Sequence, residues 1–169
     1  AGGWEMRGPD QSSLWSKTVD TLDLSEEKPE WRRIPQPFFR RALAVAVFGN
    51  ELYCLGGLDK AGEISREVDI LNLETEEWRT GAELPDDSMI GFGTAAGVEA
   101  TDGKMYITGF SGGVYEFSAK EEKWQKVSQF DSGRMFGRFV DPPEAPLIIL
   151  GGAEKGGRPK ELEFLSVEE

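Results

Sequence analysis

The sequence contains no histidine. This absence excludes from the chain the Ser-His-Asp triad, the Cys-His dyad and every zinc, copper or iron site built on imidazole ligands. Cys54 is the single cysteine, so an internal disulfide is excluded and cysteine usage does not fix the redox compartment. Because Cys54 lies between Tyr53 and Leu55, we predict that it is a small buried hydrophobic residue.

Long apolar runs and a signal peptide are also absent from the sequence, so we expect a soluble globular protein. Basic residues are few: 19 lysines and arginines face 31 aspartates and glutamates, which gives a net charge of −12. Nucleic acid and anionic membrane surfaces both require a basic face. Neither is therefore expected as a partner.

The central part of the chain reads as four short strands joined by turns. Residues 43–48 and 51–55 are apolar runs on either side of the turn Gly49-Asn50. Residues 68–73 alternate apolar and polar side chains, and Trp78 begins a fourth strand after a polar, acidic turn. A four-stranded meander of this kind cannot bury both faces alone, so it needs similar units on either side.

Similar units are present along the chain. Trp31, Trp78 and Trp124 lie 47 and 46 residues apart, and each follows an acidic turn. The segment 19–24 matches the segment 68–73 closely. Diglycines after apolar strands occur at Gly2-Gly3, Gly56-Gly57 and Gly151-Gly152. Self-similarity at this period indicates a propeller, in which we expect each tryptophan to wedge against the adjoining blade.

The order of these features resembles the kelch repeat: an apolar strand, a diglycine, another strand, then a tryptophan. The resemblance implies an all-β, kelch-type β-propeller of radially arranged four-stranded antiparallel blades. We assign residues 1–36 to part of a first blade, 37–84 to a second, 85–130 to a third and 131–169 to part of a fourth. About three and a half blades fall below the usual minimum for closure, so we expect a propeller that is incomplete within this chain. The remainder would come from another polypeptide, which we favour, or from a second copy.

The candidate binding site is cationic. Arg40 and Arg41 precede the first strand of the second predicted blade, Arg134 precedes that of the fourth, and Ser88 occupies the matching place in the third. In kelch adaptor proteins that resemble this pattern, an arginine immediately before the inner strand binds acidic peptides; Arg41 and Arg134 are the matching positions. Further cations with lower weight are Arg66, Arg138, Lys155 and Arg158. The alternative is that Arg41 pairs with neighbouring carboxylates or stacks on Phe38 or Phe39.

The segment 4–17 is predicted to be a long loop that carries Trp4 and Trp15. Two tryptophans in a polar loop indicate either a plug folded onto the propeller face or a contact surface. We favour the plug.

These features predict a binding or scaffold module that recognises a protein, a peptide or an acidic ligand through the loops at the channel mouth. The alternatives are half of a propeller enzyme acting on sugars or sialic acids, with Tyr115 among its residues, or a structural subunit of a larger assembly. Most acidic residues lie in turns, and Asp20 and Asp69 share a repeat position, which favours a structural role for both. No catalytic constellation, metal site or cofactor is predicted, so the enzyme reading is the weaker one.

Overall fold

The computed structural model describes residues 1–5, 14–87, 90–91, 96–99, 104–118, 120–140, 147–154, 157 and 163–165, with 96–99 and 163–165 described for the backbone. These residues form strands and connecting turns and contain no helix. No segment of this part of the chain therefore forms a helix long and apolar enough to cross a membrane.

The strands are short and follow one another along the whole chain. They are β1 (Trp4–Glu5), β2 (Leu14–Trp15), β3 (Thr18–Leu22), β4 (Trp31–Pro35), β5 (Ala44–Phe48), β6 (Glu51–Leu55), β7 (Val68–Asn72), β8 (Trp78–Thr80), β9 (Ala96–Glu99), β10 (Met105–Thr108), β11 (Gly113–Ser118), β12 (Lys123–Gln129), β13 (Arg134–Met135), β14 (Arg138–Val140), β15 (Leu147–Leu150), β16 (Ala153–Glu154) and β17 (Glu163–Leu165).

Two sheets have four strands in sequential antiparallel order, β5-β6-β7-β8 and β9-β10-β11-β12. In the first, Phe48 pairs with Glu51 across the predicted turn, and Leu71 pairs with Trp78. The alternation of apolar and polar residues sets this register, because a shift of one residue would turn every buried side chain outward. The four-stranded meander predicted from the sequence is therefore confirmed.

The remaining strands form smaller sheets: β3-β4, β14-β15-β17, and the two-stranded pairs β1-β2 and β13-β16. The sequence predicted loops where β1, β2 and β16 lie, and that part of the prediction was wrong. In β1-β2, Trp4 pairs with Trp15 and their rings stack with centroids 6.1 Å apart. The plug interpretation of this segment stays a prediction, and residues 6–13 lie outside the described part.

Radial stacking of the sheets is visible in the strands that touch. The first strands β5, β9 and β14 contact one another in succession, so they lie innermost and the later strands of each sheet lie outward. The two four-stranded sheets fall within 37–84 and 85–130, whereas the exact division of the chain into blades stays a prediction.

Two apolar clusters fill the spaces between sheets. The first joins the two four-stranded sheets and contains Ala44, Ala46, Tyr53, Leu55, Val68, Ile70, Leu84, Ile90, Met105, Ile107 and Phe117. The second joins the β9-β12 sheet to β14-β15 and contains Tyr106, Val114, Phe130, Phe139, Leu147 and Ile149. Met105 and Tyr106 point to opposite clusters because successive side chains of a strand alternate between faces. Each fully buried large aliphatic side chain contributes about 1.5–3 kcal/mol.

The three repeat tryptophans do not share one environment. Trp78 contacts the preceding sheet through Pro35 and Phe38, and Trp124 packs against the first apolar cluster beside Phe117. Trp31 is 70% exposed, so the expectation that it wedges against an adjoining blade was wrong within the described residues. Trp31 is exposed because it lies on a face of the β3-β4 sheet that no other described sheet covers.

Candidate functional site

The segment that enters β5 determines where the predicted arginines lie. A Cβ atom added to Gly57 would lie 2.6 Å from the carbonyl oxygen of Arg41, and one added to Gly152 would lie 2.5 Å from that of Met135. These two diglycines therefore pack against equivalent backbone positions, and Arg41 is equivalent to Met135. It follows that Arg134 is equivalent to Arg40, so the sequence-based match of Arg134 with Arg41 was wrong by one residue.

Arg40 is a buried residue of the segment that enters β5. Its guanidinium is 2% exposed and donates hydrogen bonds to the carboxylate of Asp69 and to the carbonyl oxygen of Glu67. A longer bond of 3.4 Å reaches the carbonyl oxygen of Cys54, and the ring of Phe38 covers the guanidinium at 4.7 Å. Arg40 thus ties the entry segment to the ends of β6 and β7.

Asp69 completes a partly buried ion pair with Arg40. Its side chain is 18% exposed. Burial raises the pKa of Asp69 above its usual range, against the lowering effect of the Arg40 charge, and the charge of Glu67 adds to the rise. The predicted structural role of Asp69 agrees with this pairing. A pair of this kind holds a loop in place, and removal of one partner leaves an uncompensated charge.

Arg134 occupies the equivalent internal position at β13. It is 1% exposed, and its guanidinium donates a 3.4 Å bond to the carbonyl oxygen of Gly151. Arg40 and Arg134 are therefore both turned inward at the entry to an innermost strand. A ligand on the outer surface does not reach either guanidinium in this arrangement.

Arg41 is the half-buried neighbour that remains accessible. Its backbone N–H donates to Leu58 at 2.9 Å and its carbonyl accepts from Leu58 at 2.8 Å, which fixes it against the loop that follows Gly57. Its guanidinium lies 4.7 Å from the ring centroid of Trp4. Among the described residues it forms no ion pair, so the alternative of pairing with a neighbouring carboxylate is not observed and the aromatic partner is Trp4 rather than Phe38 or Phe39.

Arg66 lies on the loop that leads into β7 and is held by a neighbouring segment. It donates a 2.8 Å hydrogen bond to the carbonyl oxygen of Leu84, and its guanidinium lies 3.7 Å from Glu83 and 3.8 Å from Asp86. Both carboxylates are well exposed, so these ion pairs are weak and exchangeable. Ser88, Lys155 and Arg158 lie outside the described residues.

Tyr115 was the tyrosine named for an enzymatic role. Its hydroxyl donates a 2.6 Å hydrogen bond to the carboxylate of Asp87. Burial, and then this hydrogen bond and the Asp87 charge, raise the pKa of Tyr115 to about 12. Near neutral pH the phenol is therefore protonated, so it acts as a hydrogen-bond donor and not as an anionic nucleophile.

Cys54 and the acidic side chains are the remaining candidates for a reactive or metal-binding group in the described part of the chain. Cys54 is fully buried, as predicted, and burial raises the pKa of its thiol to about 11. Within the described segments, no group of three or more Cys, Asp or Glu side chains is placed to hold a metal ion.

Besides the contact of Arg40 with Phe38, the sequence reasoning missed two further aromatic–cation contacts. One is the contact of Arg41 with Trp4. The other places the ammonium of Lys60 3.7 Å from the ring centroid of Phe39, at a cavity of 490 Å³. Neither is visible in the sequence, because each joins residues whose spacing follows no strand or helix period.

Comparison with known proteins agrees with the fold. Residues 40–85 match the family model of the Kelch motif. The chain is 26% identical to human Kelch repeat and BTB domain-containing protein 12 over 89% of this chain and 29% of that protein. It is 24% identical to Alpha-scruin of Limulus polyphemus over 80% of this chain and 16% of that protein.

An enzyme and a solved structure are also similar. The chain is 24% identical to N-(sulfonatooxy)prop-2-enimidothioate sulfolyase of Thlaspi arvense over 76% of this chain and 41% of that protein. The solved structure of YjhT superposes with a TM-score of 0.67 at 19% identity, over 85% of this chain and 47% of that chain. The chain thus spans less than half the length of each of these proteins.

Together the diglycine-bearing sheets, their radial order and these similarities define an all-β kelch propeller module. Residues 40–85 thus carry a Kelch motif, and most of the chain is similar to kelch-repeat proteins.

Proposed function

We propose that this kelch-repeat chain is a protein-interaction module that binds a carboxylate-bearing peptide or protein surface at Arg41. The observation that supports the proposal most strongly is that Arg41 is only half-buried, lies over the ring of Trp4 and forms no ion pair among the described residues. On a chain of net charge −12, such a cation is a local positive site. A carboxylate there would form charge-assisted hydrogen bonds to the guanidinium.

The other residues predicted from the sequence serve either as further contacts for the ligand or as supports of the loops. Arg66 is a secondary contact, because its exposed ion pairs exchange partners at little cost. Arg40 and Arg134 support the loops from inside. Ser88 and Arg158 remain proposed contacts from the sequence.

The test uses an acetylated, amidated tri-glutamate peptide as probe and the tri-glutamine peptide as its neutral counterpart, titrated by NMR. Because a hydrogen bond to a charged group contributes about 1.5–3 kcal/mol, Arg41→Ala should weaken tri-glutamate binding about tenfold or more. The matched control is Arg33→Ala, which removes an exposed arginine that pairs with Asp20. Equal affinity of the wild type and Arg41→Ala for tri-glutamate would overturn the proposal.

We further propose that additional kelch blades cover the open face at β3-β4 and β5. Trp31 is 70% exposed, and Val45 and Val47 on β5 are each 47% exposed. Val45 and Val47 alternate along one strand and therefore share a face of β5, and an exposed apolar face of this kind marks an interaction surface. Light scattering after size-exclusion chromatography tests whether copies of the chain cover this face. If the chain self-associates and Val47→Glu abolishes this self-association, a second copy covers the face. If the chain is a stable monomer, the face is assigned to another polypeptide segment.

A second candidate function is part of a propeller enzyme. The observation that favours it is the similarity to the Thlaspi arvense sulfolyase. The name of that enzyme's substrate includes a sulfonatooxy group, an anion of the kind that Arg41 would bind. Displacement of the tri-glutamate probe by a small sulfate ester, followed by turnover of the ester, would favour the enzyme; displacement without turnover favours the binding module.

A further inference from the structure

A cavity of 490 Å³ lies beside the segment that enters β5, and Arg41 is not among its lining residues. Phe38 and Phe39 contribute the aromatic part of its wall, and the paired Arg40 and Asp69 also line it. Phe38 is 6% exposed and is held edge-on against Trp78, with ring centroids 5.6 Å apart. The wall is therefore preformed, as ligand sites usually are.

A cation of the chain itself already occupies one aromatic face of this cavity. The ammonium of Lys60 lies 3.7 Å from the ring centroid of Phe39. Among the described residues this ammonium has no ion-pair partner. The contact is thus a cation–π interaction, which is weak at an exposed position. A contact of this strength is easily exchanged for another cation.

Carboxylates at the rim complement a cation in this place. Asp59 uses one oxygen to accept hydrogen bonds from the backbone N–H groups of Ala61 at 2.8 Å and Glu63 at 2.9 Å. Glu67 is 71% exposed and lies 4.0 Å from Arg40, a distance at which the pairing is weak. Asp59 and Glu67, which both line the cavity, therefore each retain acceptor capacity, whereas the Asp69 carboxylate is engaged by Arg40.

We propose that this cavity binds a lysine or arginine side chain of a partner protein, and that Lys60 holds the cation position while the partner is absent. The partner is basic because the chain carries a net charge of −12 and the rim carries two carboxylates. On binding, the cation of the partner replaces the Lys60 ammonium on the ring of Phe39. Lys60 therefore competes with the partner for this ring. This proposal does not depend on Arg41, which would bind the opposite charge.

The experiment uses N-acetyl-lysine N-methylamide as the cationic probe and observes the phenylalanine rings by carbon-13 NMR. The norleucine analogue has a similar chain without charge, and the glutamate analogue has the opposite charge. Lys60→Ala should tighten binding of the lysine probe about two- to fivefold, since it removes the competing contact. Lys28→Ala removes the same charge from an exposed turn and should leave the affinity unchanged within error.

A second variant distinguishes the cavity from a general effect of charge. Phe39→Leu in the Lys60→Ala background should abolish the gain while the other phenylalanine signals stay in place. Weaker or unchanged binding of the lysine probe to Lys60→Ala would overturn the proposal. The proposal would also be overturned if the wild type bound the glutamate analogue preferentially and Lys60→Ala abolished that preference. Lys60 would then recruit an anion.

Discussion

The indole Nε1 of Trp78 donates a 2.8 Å hydrogen bond to the carbonyl oxygen of Pro35. Pro35 is the last residue of β4 and Trp78 the first of β8, so the bond joins two different sheets. The same ring contacts Phe38 edge-on at 5.6 Å. Trp78 thus joins two neighbouring sheets, whereas Trp31 at the preceding repeat position is exposed.

Trp78→Phe removes this donor but keeps an aromatic ring beside Phe38. We expect the free energy of unfolding to fall by about 1 kcal/mol, because one intramolecular hydrogen bond is lost and the Pro35 carbonyl loses its partner. Urea denaturation measures the change. Trp31→Phe is the matched control and should change stability by less than about 0.5 kcal/mol, since Trp31 is largely exposed. Equal losses in the two variants would contradict the role of Trp78.

Arg40→Met leaves Asp69 as a partly buried carboxylate without its cation. We expect a loss of about 3 kcal/mol in the free energy of unfolding, as for other broken buried ion pairs. Arg33→Met breaks the exposed pair with Asp20 and should cost less than about 1 kcal/mol. If urea denaturation shows the same small loss for both, Arg40 does not have the internal role assigned to it.

Much of the fold was predictable because its signals are local and repeated. The strand β6 was predicted with its observed ends, since the turn Gly49-Asn50 and the diglycine after Leu55 bound it on both sides. The short pairs β1-β2 and β13-β16 were missed in whole or in part. Two-residue strands have no room for an alternating pattern, so nothing in their sequence distinguishes them from loops.

The candidate site was less predictable, because two adjacent arginines have opposite orientations. Sequence spacing places Arg40 and Arg41 together at the start of β5 but does not say which one turns inward. That choice depends on the packing of Gly57 against the backbone of Arg41 and on the position of Asp69 across the sheet. The match of Arg134 with Arg41 failed for the same reason.

The raised pKa of Tyr115 predicts a particular alkaline titration. The folded protein holds the phenolic proton more tightly than the unfolded chain, whose tyrosines titrate near 10. Tyr115 therefore contributes stability that is complete below pH 10 and is lost as the pH rises from 10 towards 12. The ultraviolet absorbance of tyrosinate follows the titration, and Tyr115→Phe identifies the transition that belongs to this residue.

Asp87→Asn tests the cause of that shift. The substitution removes the carboxylate charge, so the pKa of Tyr115 should fall below 12. It should remain above 10, because burial is the largest cause and is unchanged. A transition that does not move in Asp87→Asn would show that the 2.6 Å contact has no influence on the phenol.

The division of roles between Arg40 and Arg41 is the central claim, and the Nε–H signals of the arginine side chains in a nitrogen-15 NMR spectrum test it most directly. On addition of the tri-glutamate probe, the Arg41 signal should shift in proportion to binding, while the Arg40 signal, identified by its loss in Arg40→Met, stays in place. A shift of the Arg40 signal with an unchanged Arg41 signal would contradict the account.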